Sequence, residues 1–328
     1  MSKKNNIGSG SNAYLMSEDI KKTFKKFNVR MDIPGWKYFE DRVRFEVTLK
    51  GGTTGANFLK HIQDVQDRLG LPMFQAYEED HVLYIVASEE YVKYPRLLDI
   101  LDNPPKQVKK AVLPYIVGHN LLEQISVIDL SESPHMLAGG STGSGKTIGL
   151  QALITSIAWR GTPDDVNFIL IDVGAGGLAE FEELPHLSHP VIHDRATALR
   201  AFVALKTEME RRVALGPDSQ NALNPRLVVV IDEFPALFMG ETDKKISKIF
   251  SDTISTLLQR GRHAGIHLVL AAQNPTCQNM KVDLSNITTR VAFRCAKKNF
   301  LPVRLEIMQQ RRGRSERCGI EPGVKITV

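Results

Sequence analysis

A chain of 328 residues with 42% hydrophobic and 24% charged side chains is long enough for one full α/β core and a smaller companion domain. Its formal net charge of +5 accommodates an anionic partner without requiring one, and no apolar run approaches the roughly 20 residues of a membrane span. Three cysteines, Cys277, Cys295 and Cys318, are too few and too irregularly spaced for a disulfide framework or a metal site and read as reduced thiols.

Residues 1–27 begin "MSKKNNIGSGSNAYLMSED", polar and without an apolar signal core, and read as a flexible tail on a cytoplasmic protein. "VRFEVTL" from Val43 alternates as a half-buried strand does, and two glycines end it. From Thr54 the spacing predicts a helix with Phe58, Leu59, Ile62, Val65 and Leu69 on one face. "HVLYIVA" from His81 is a second strand, and "YVKYPRLLDIL" a helix interrupted near Pro95. These elements define a small α/β domain over residues 28–112. "DNPPKQVKK" from Asp102 reads as its linker, since paired prolines and a charge cluster offer nothing to bury.

In the second domain, residues 113–328, "PHMLAGG" predicts a short buried strand and "TIGLQALITSIAW" a helix with Ile148, Leu150, Leu153, Ile154 and Ile157 at helical spacing. Between them Gly140, Ser141, Thr142, Gly143, Ser144, Gly145, Lys146 and Thr147 fit G-x-x-x-x-G-K-[ST]. Glycines at these places let backbone N–H groups wrap phosphate oxygens, Lys146 reaches the outer phosphates, and Thr147 a magnesium ion. The phosphates then lie at a helix N-terminus, where unpaired N–H groups and about half a positive charge face them. "VNFILID", "RLVVVID", "IHLVLAA" and "RVAFRC" are continuous apolar runs separated by helical stretches. That pattern belongs to a parallel sheet covered on both faces by helices.

A loop that hydrolyses as well as binds needs a metal-directed carboxylate and a group that activates water. Asp232 closes an apolar strand, so its carboxylate emerges at the sheet edge beside the loop, where it can hold the water shell of the metal. Glu233 follows directly as the candidate general base. Gln273, at the end of another core strand, is placed to sense the outer phosphate. In a ring of subunits an arginine of one copy can stabilise transition-state charge at its neighbour's nucleotide. Arg290 is the first candidate for that role and Arg262 the second.

"PHMLAGGSTGSGKT", "TEMERRVAL", "LVVVIDEFPALF" and "LLQRGRHAGIHLVLAAQNP" resemble the successive motifs of the FtsK/SpoIIIE ATPases, over about residues 40 to 300. The resemblance implies a RecA-like P-loop NTPase fold with a mostly parallel sheet, preceded by a small α/β domain. It implies ATP and Mg²⁺ as cofactors, Asp232 and Glu233 as the Walker B pair, and Gln273 as sensor. It further implies an ATP-driven translocase of double-stranded DNA working as a homo-oligomeric ring, a hexamer. Lacking membrane segments and a winged-helix domain, the chain is most similar to the soluble DNA-transfer ATPases of Gram-positive conjugative elements. Those meet a relaxase or a membrane transfer apparatus as partner. Related ATPases of type VII secretion move protein instead, and a non-catalytic nucleotide-binding module is the other alternative. Asp172, Val173 and Gly174 stand where the family has aspartate, proline and lysine, so a basic contribution is missing there.

Residues 301–322 are arginine-rich and depart from the family pattern. Read one base out of frame, Leu301 to Glu306 permit Ser, Arg, Thr, Ile and Gly, where the family continues with a segment like Ser-Arg-Thr-Ile-Leu. Two origins stay open: paired frame changes in the gene or its sequencing, which resequencing decides, or a diverged, basic DNA-binding tail.

Overall fold

The computed structural model describes residues 10–39, 42–89, 95–119, 125–174, 176–216, 225–239, 243–273, 280 and 282–293. Cys277, Cys295, Cys318 and the segment 301–322 lie outside them. The chain divides into two compact units, one built on residues up to Pro95 and the other essentially on residues from Arg96 onward.

The first unit is a four-stranded antiparallel sheet in the order β1-β2-β4-β3, formed by β1 (Arg30–Phe39), β2 (Arg42–Lys50), β3 (Met73–Glu79) and β4 (Val82–Ser88). Alternation in β2 turns Val43, Phe45 and Val47 inward. The strands β1 and β3 were not expected. In β1 the pattern is interrupted by Pro34 and Gly35, where the register with β2 shifts, and β3 ends in two glutamates that hide its alternation.

Residues 1–27 were expected to be a flexible tail. Instead α1 (Gly10–Lys25) is a 16-residue helix that buries Ala13, Ile20 and Phe24 in the same core as Phe45, Phe58 and Phe74. Burying such side chains contributes about 1.5–3 kcal/mol each for the larger ones, which offsets the cost of ordering the lysines between them. The helix expected from Thr54 is two helices, α2 (Gly55–Lys60) and α3 (Ile62–Leu69), broken at His61. Thr54 caps the first by accepting a hydrogen bond from Asn57 N at 3.2 Å, and the break leaves Leu59 exposed.

In the second unit α4 (Leu97–Asp102) and α5 (Lys106–Lys110) precede a two-stranded sheet of β5 (Pro114–His119) and β6 (Ile125–Asp129). The expected linker "DNPPKQVKK" is thus structured. Val108 of α5 is buried with Ile100 and Leu101 of α4 and Ile116 of β5, so the division between units falls at Pro95/Arg96, not at 112/113.

The main sheet comprises β7 (His135–Gly139), β8 (Val166–Asp172), β9 (Arg226–Asp232), β10 (Ile266–Ala272) and β11 (Thr289–Ala292). All its pairings are parallel, and the order is β11-β7-β10-β9-β8. The expected parallel, doubly covered sheet is what forms. Phe168, Leu170, Val228, Val230 and Val269 pack with Leu150, Leu153, Ile154 and Ile157 of α6 (Lys146–Arg160) on one face. The intervening Ile169, Ile171, Val229, Ile231 and Leu268 pack against α7 (Arg195–Ala214) and α8 (Lys244–Arg260) on the other. Ile148 of α6, expected on the apolar face, is exposed. At the starts of β7 and β10, His135 Nδ1 accepts from Leu268 N at 3.1 Å and His267 Nδ1 donates to Pro134 O at 3.2 Å. Burial holds these imidazoles neutral, with pKa values pushed down to about 3 and about 4.

Candidate active site

The C-terminal ends of β7, β9 and β10 converge on one place. β7 is buried along its whole length, and the chain leaving it is pinned where Gly140 N donates to Ala272 O at 3.3 Å. A Cβ on Gly140 would meet Phe293 Cβ and Ser144 Oγ, each at 2.6 Å, so only glycine allows the approach. Gly143 and Gly145 hold φ of 72° and 93°, the left-handed region that lets the loop reverse into α6. Gly145 caps α6 without a side chain, which leaves first-turn N–H groups directed at whatever the loop encloses. Within the loop Thr142 and Gly143 are exposed, while Ser144 Oγ is buried without a partner. An anion in the loop would supply the acceptor that this hydroxyl lacks.

Lys146 opens α6 with a side chain only 9% exposed. Its Nζ lies 3.1 Å from Asp232 Oδ1, a contact without hydrogen-bond geometry, and donates to Glu233 Oε2 at 3.0 Å. Thr147 Oγ1 donates to Asp232 Oδ2 at 3.3 Å. Asp232 is buried at the end of β9. Glu233 then takes φ 66°, ψ 61°, a left-handed conformation that is rare outside glycine and asparagine. Its two carboxylate oxygens accept from Gln273 N at 3.3 and 3.1 Å. The structure therefore brings Lys146, Thr147, Asp232, Glu233 and Gln273 together. The contact of Gln273 with Glu233 is made through the backbone N–H.

The loop after β8 closes one side. Asp172 is buried and accepts from Gly176 N at 3.1 Å and Leu178 N at 2.9 Å, while Gln151 Nε2 donates to Gly177 O at 2.8 Å. Gly177 is thereby laid against the Thr147 side chain. The acid at Asp172 thus shapes a wall. Gly177 and Gln151 escaped the sequence reading; the only trace they leave is the glycine run around Gly174 and Gly176.

Arg290 and Arg262 are not part of this cluster. Arg290 pairs with Leu137 in the middle of β7, and Arg262 is exposed on the short 3₁₀ turn Gly261–Ala264 that leads into the opposite, N-terminal end of β10.

A cradle of N–H groups, a buried lysine, and a hydroxyl facing a carboxylate are the donor set that a nucleoside triphosphate with a divalent cation requires. The FtsK/SpoIIIE family model matches residues 96–220 and 213–277. The DNA translocase FtsK of Haemophilus influenzae is 28% identical over 330 residues, covering 86% of this chain and 60% of that protein. DNA translocase FtsK 2 of Neisseria meningitidis serogroup A is 30% identical over 293 residues, covering 78% of this chain and 28% of that protein. The chain thus spans 60% or less of the length of the curated relatives it matches. Among solved structures, the pCW3 conjugation coupling protein TcpA, in a monomer form with ATPγS, has the same fold with a TM-score of 0.54 and 19% identity. That match covers 87% of this chain and 84% of TcpA. With its loop, strand order and carboxylate pair in place and the model matched over more than half its length, the chain belongs to the FtsK/SpoIIIE family.

Proposed function

We propose that the protein is an ATP hydrolase that drives double-stranded DNA through a ring of its own copies. The observation that carries this reading is the convergence of Lys146, Thr147, Asp232 and Glu233 at the mouth of a glycine-rich loop. The loop N–H groups and Lys146 hold the phosphates of ATP. Thr147 Oγ1 and the Asp232 carboxylate would hold a magnesium ion, which would supply positive charge against the phosphates. Glu233, fixed by the Gln273 N–H, accepts a proton from the attacking water. The side chain of Gln273 reports on the outer phosphate, and Arg290 reaches the nucleotide of the next subunit.

The DNA cargo is supported by the relatives, named DNA translocases. On this reading the ring is a hexamer with duplex DNA in its pore, and it serves DNA transfer beside a relaxase or membrane apparatus. No helix among the described residues is long and apolar enough to cross a membrane. No base-reading element is evident among the described residues, and on this reading binding is dominated by phosphates. The test is displacement of a third strand from linear duplex DNA: the protein with ATP and Mg²⁺ strips it, and failure with ATP being hydrolysed rejects the cargo.

A further inference from the structure

Glu233 depends on a backbone geometry that the residue itself disfavours. A non-glycine residue in the left-handed region is strained and persists only where its surroundings over-determine it. Those surroundings are the 3₁₀ turn Phe234–Phe238, for which Glu233 is the N-terminal cap and whose first bond runs from Ala236 N to Glu233 O at 2.9 Å.

The apolar side of that turn is held by aromatic rings. Phe234 meets Phe238 edge-on at 5.5 Å, Phe238 meets Phe250 of α8 at 5.7 Å, and Phe250 meets Phe202 of α7 at 5.4 Å. Ring packing secures the apolar side of the turn and leaves carbonyls to be satisfied by polar partners.

On the polar side the turn is held by Arg195. Arg195, the first residue of α7, donates Nε to Leu237 O at 3.1 Å and Nη1 to Met239 O at 2.5 Å. Two bonds from a rigid planar fork define an orientation as a single contact does not. Arg195 is itself anchored, since Asp194 caps α7 by accepting from Thr197 N at 2.9 Å.

We infer that Arg195 is a positioning residue for Glu233: it clamps the far end of the Phe234–Phe238 turn and so fixes the backbone twist that aims the Glu233 carboxylate at the Gln273 N–H and at Lys146. The catalytic consequence rests on Glu233 being the base proposed above. The positioning itself does not, because the Gln273 amide reports on the carboxylate directly.

The test uses the full chain and the variants Arg195→Ala and Arg195→Lys. Amide exchange at Gln273, followed by NMR, is the readout independent of hydrolysis. In Arg195→Ala this amide loses protection while amides in the interior of β9 and β10 keep theirs, and ATPγS affinity stays within about twofold, as it must if only placement of the base is lost. Hydrolysis falls about 10- to 100-fold, the range expected when a reacting group is misplaced by a fraction of an ångström to one ångström. Added guanidinium at non-denaturing concentration restores part of it, and Arg195→Lys, which cannot bridge both carbonyls, lies between. Unchanged Gln273 protection in either variant overturns the inference, as does a parallel loss of affinity, turnover and β9 protection that guanidinium does not relieve. Wild-type protein that protects Gln273 but never hydrolyses ATP counts against the base assignment and leaves the clamp standing.

Discussion

Replacing Gly177 with alanine tests the geometry of the metal side of the site with a single methyl group. The backbone of Gly177 is outside the left-handed region, so alanine meets no conformational penalty there. Its Cβ, however, would overlap Thr147 Cγ2 and lie 3.5 Å from Asp232 Oδ2. The loop cannot easily retreat, because Gln151 holds Gly177 O and Asp172 holds the amides on either side of it. Thr147 must therefore turn, leaving its rotamer at a cost of about 0.5–1.5 kcal/mol and giving up its bond to the Asp232 carboxylate, worth about 1.5–3 kcal/mol. Binding nucleotide with magnesium requires Thr147 to turn back, so a cost of about 2 kcal/mol falls on that step and weakens it roughly 30-fold. Fold stability falls as well, because the strained rotamer and the lost bond outweigh the about 0.4–1 kcal/mol that alanine contributes by lowering unfolded-state entropy. Titration of a fluorescent ATP analogue with magnesium and with EDTA separates the two: the loss belongs to the magnesium-dependent part. A Gly177→Ala protein that binds Mg-nucleotide as the wild type does would refute the reasoning.

Lys146→Ala abolishes nucleotide binding in the same titration and lowers the unfolding midpoint, because it leaves Asp232 buried without its cation; Glu233→Gln keeps binding and loses turnover. Normal hydrolysis by Glu233→Gln dismisses it as the base. His135 and His267, depressed by burial to about 3 and about 4 from an ordinary 6.5, take up protons only on unfolding. Their contribution is fully present above about pH 6.5 and is lost as pH falls toward 4, by about 1.4 kcal/mol per pH unit for each. NMR is expected to find both rings neutral at pH 5.5, whereas the His193 ring, its pKa raised by its bond to Glu182 and by Asp172 O, holds its proton to higher pH than an ordinary imidazole; a ring of His267 titrating near 6.5 contradicts this. Arg290→Ala subunits, inactive alone, regain hydrolysis when mixed with Lys146→Ala subunits, and no recovery leaves Arg290 without a role in trans.

The loop from Gly140 to Thr147 was legible because its chemistry is contiguous, and Asp232 and Glu233 because an acid closing an apolar strand has one destination in a parallel sheet. What stayed hidden acts across space. Arg195 lies 38 residues before Glu233 in the sequence and touches only carbonyls, which any residue supplies. Gly177 matters for the side chain it lacks, against a threonine 30 residues away. The helix α1 was missed because its buried stripe of Ala13, Ile20 and Phe24 is thin and its flanks are lysine-rich. The segment "DNPPKQVKK" was misread because a single side chain, Val108, does its packing.

The central claim is that hydrolysis at this site is coupled to duplex DNA. It is tested most directly by the rate of ATP hydrolysis with and without linear double-stranded DNA at two salt concentrations. Phosphate-dominated binding predicts stimulation by DNA at low salt that fades steeply as salt rises, in step with the release of counterions. Hydrolysis that proceeds at one rate whether or not DNA is present, at both salt concentrations, would contradict the account and point to a protein cargo.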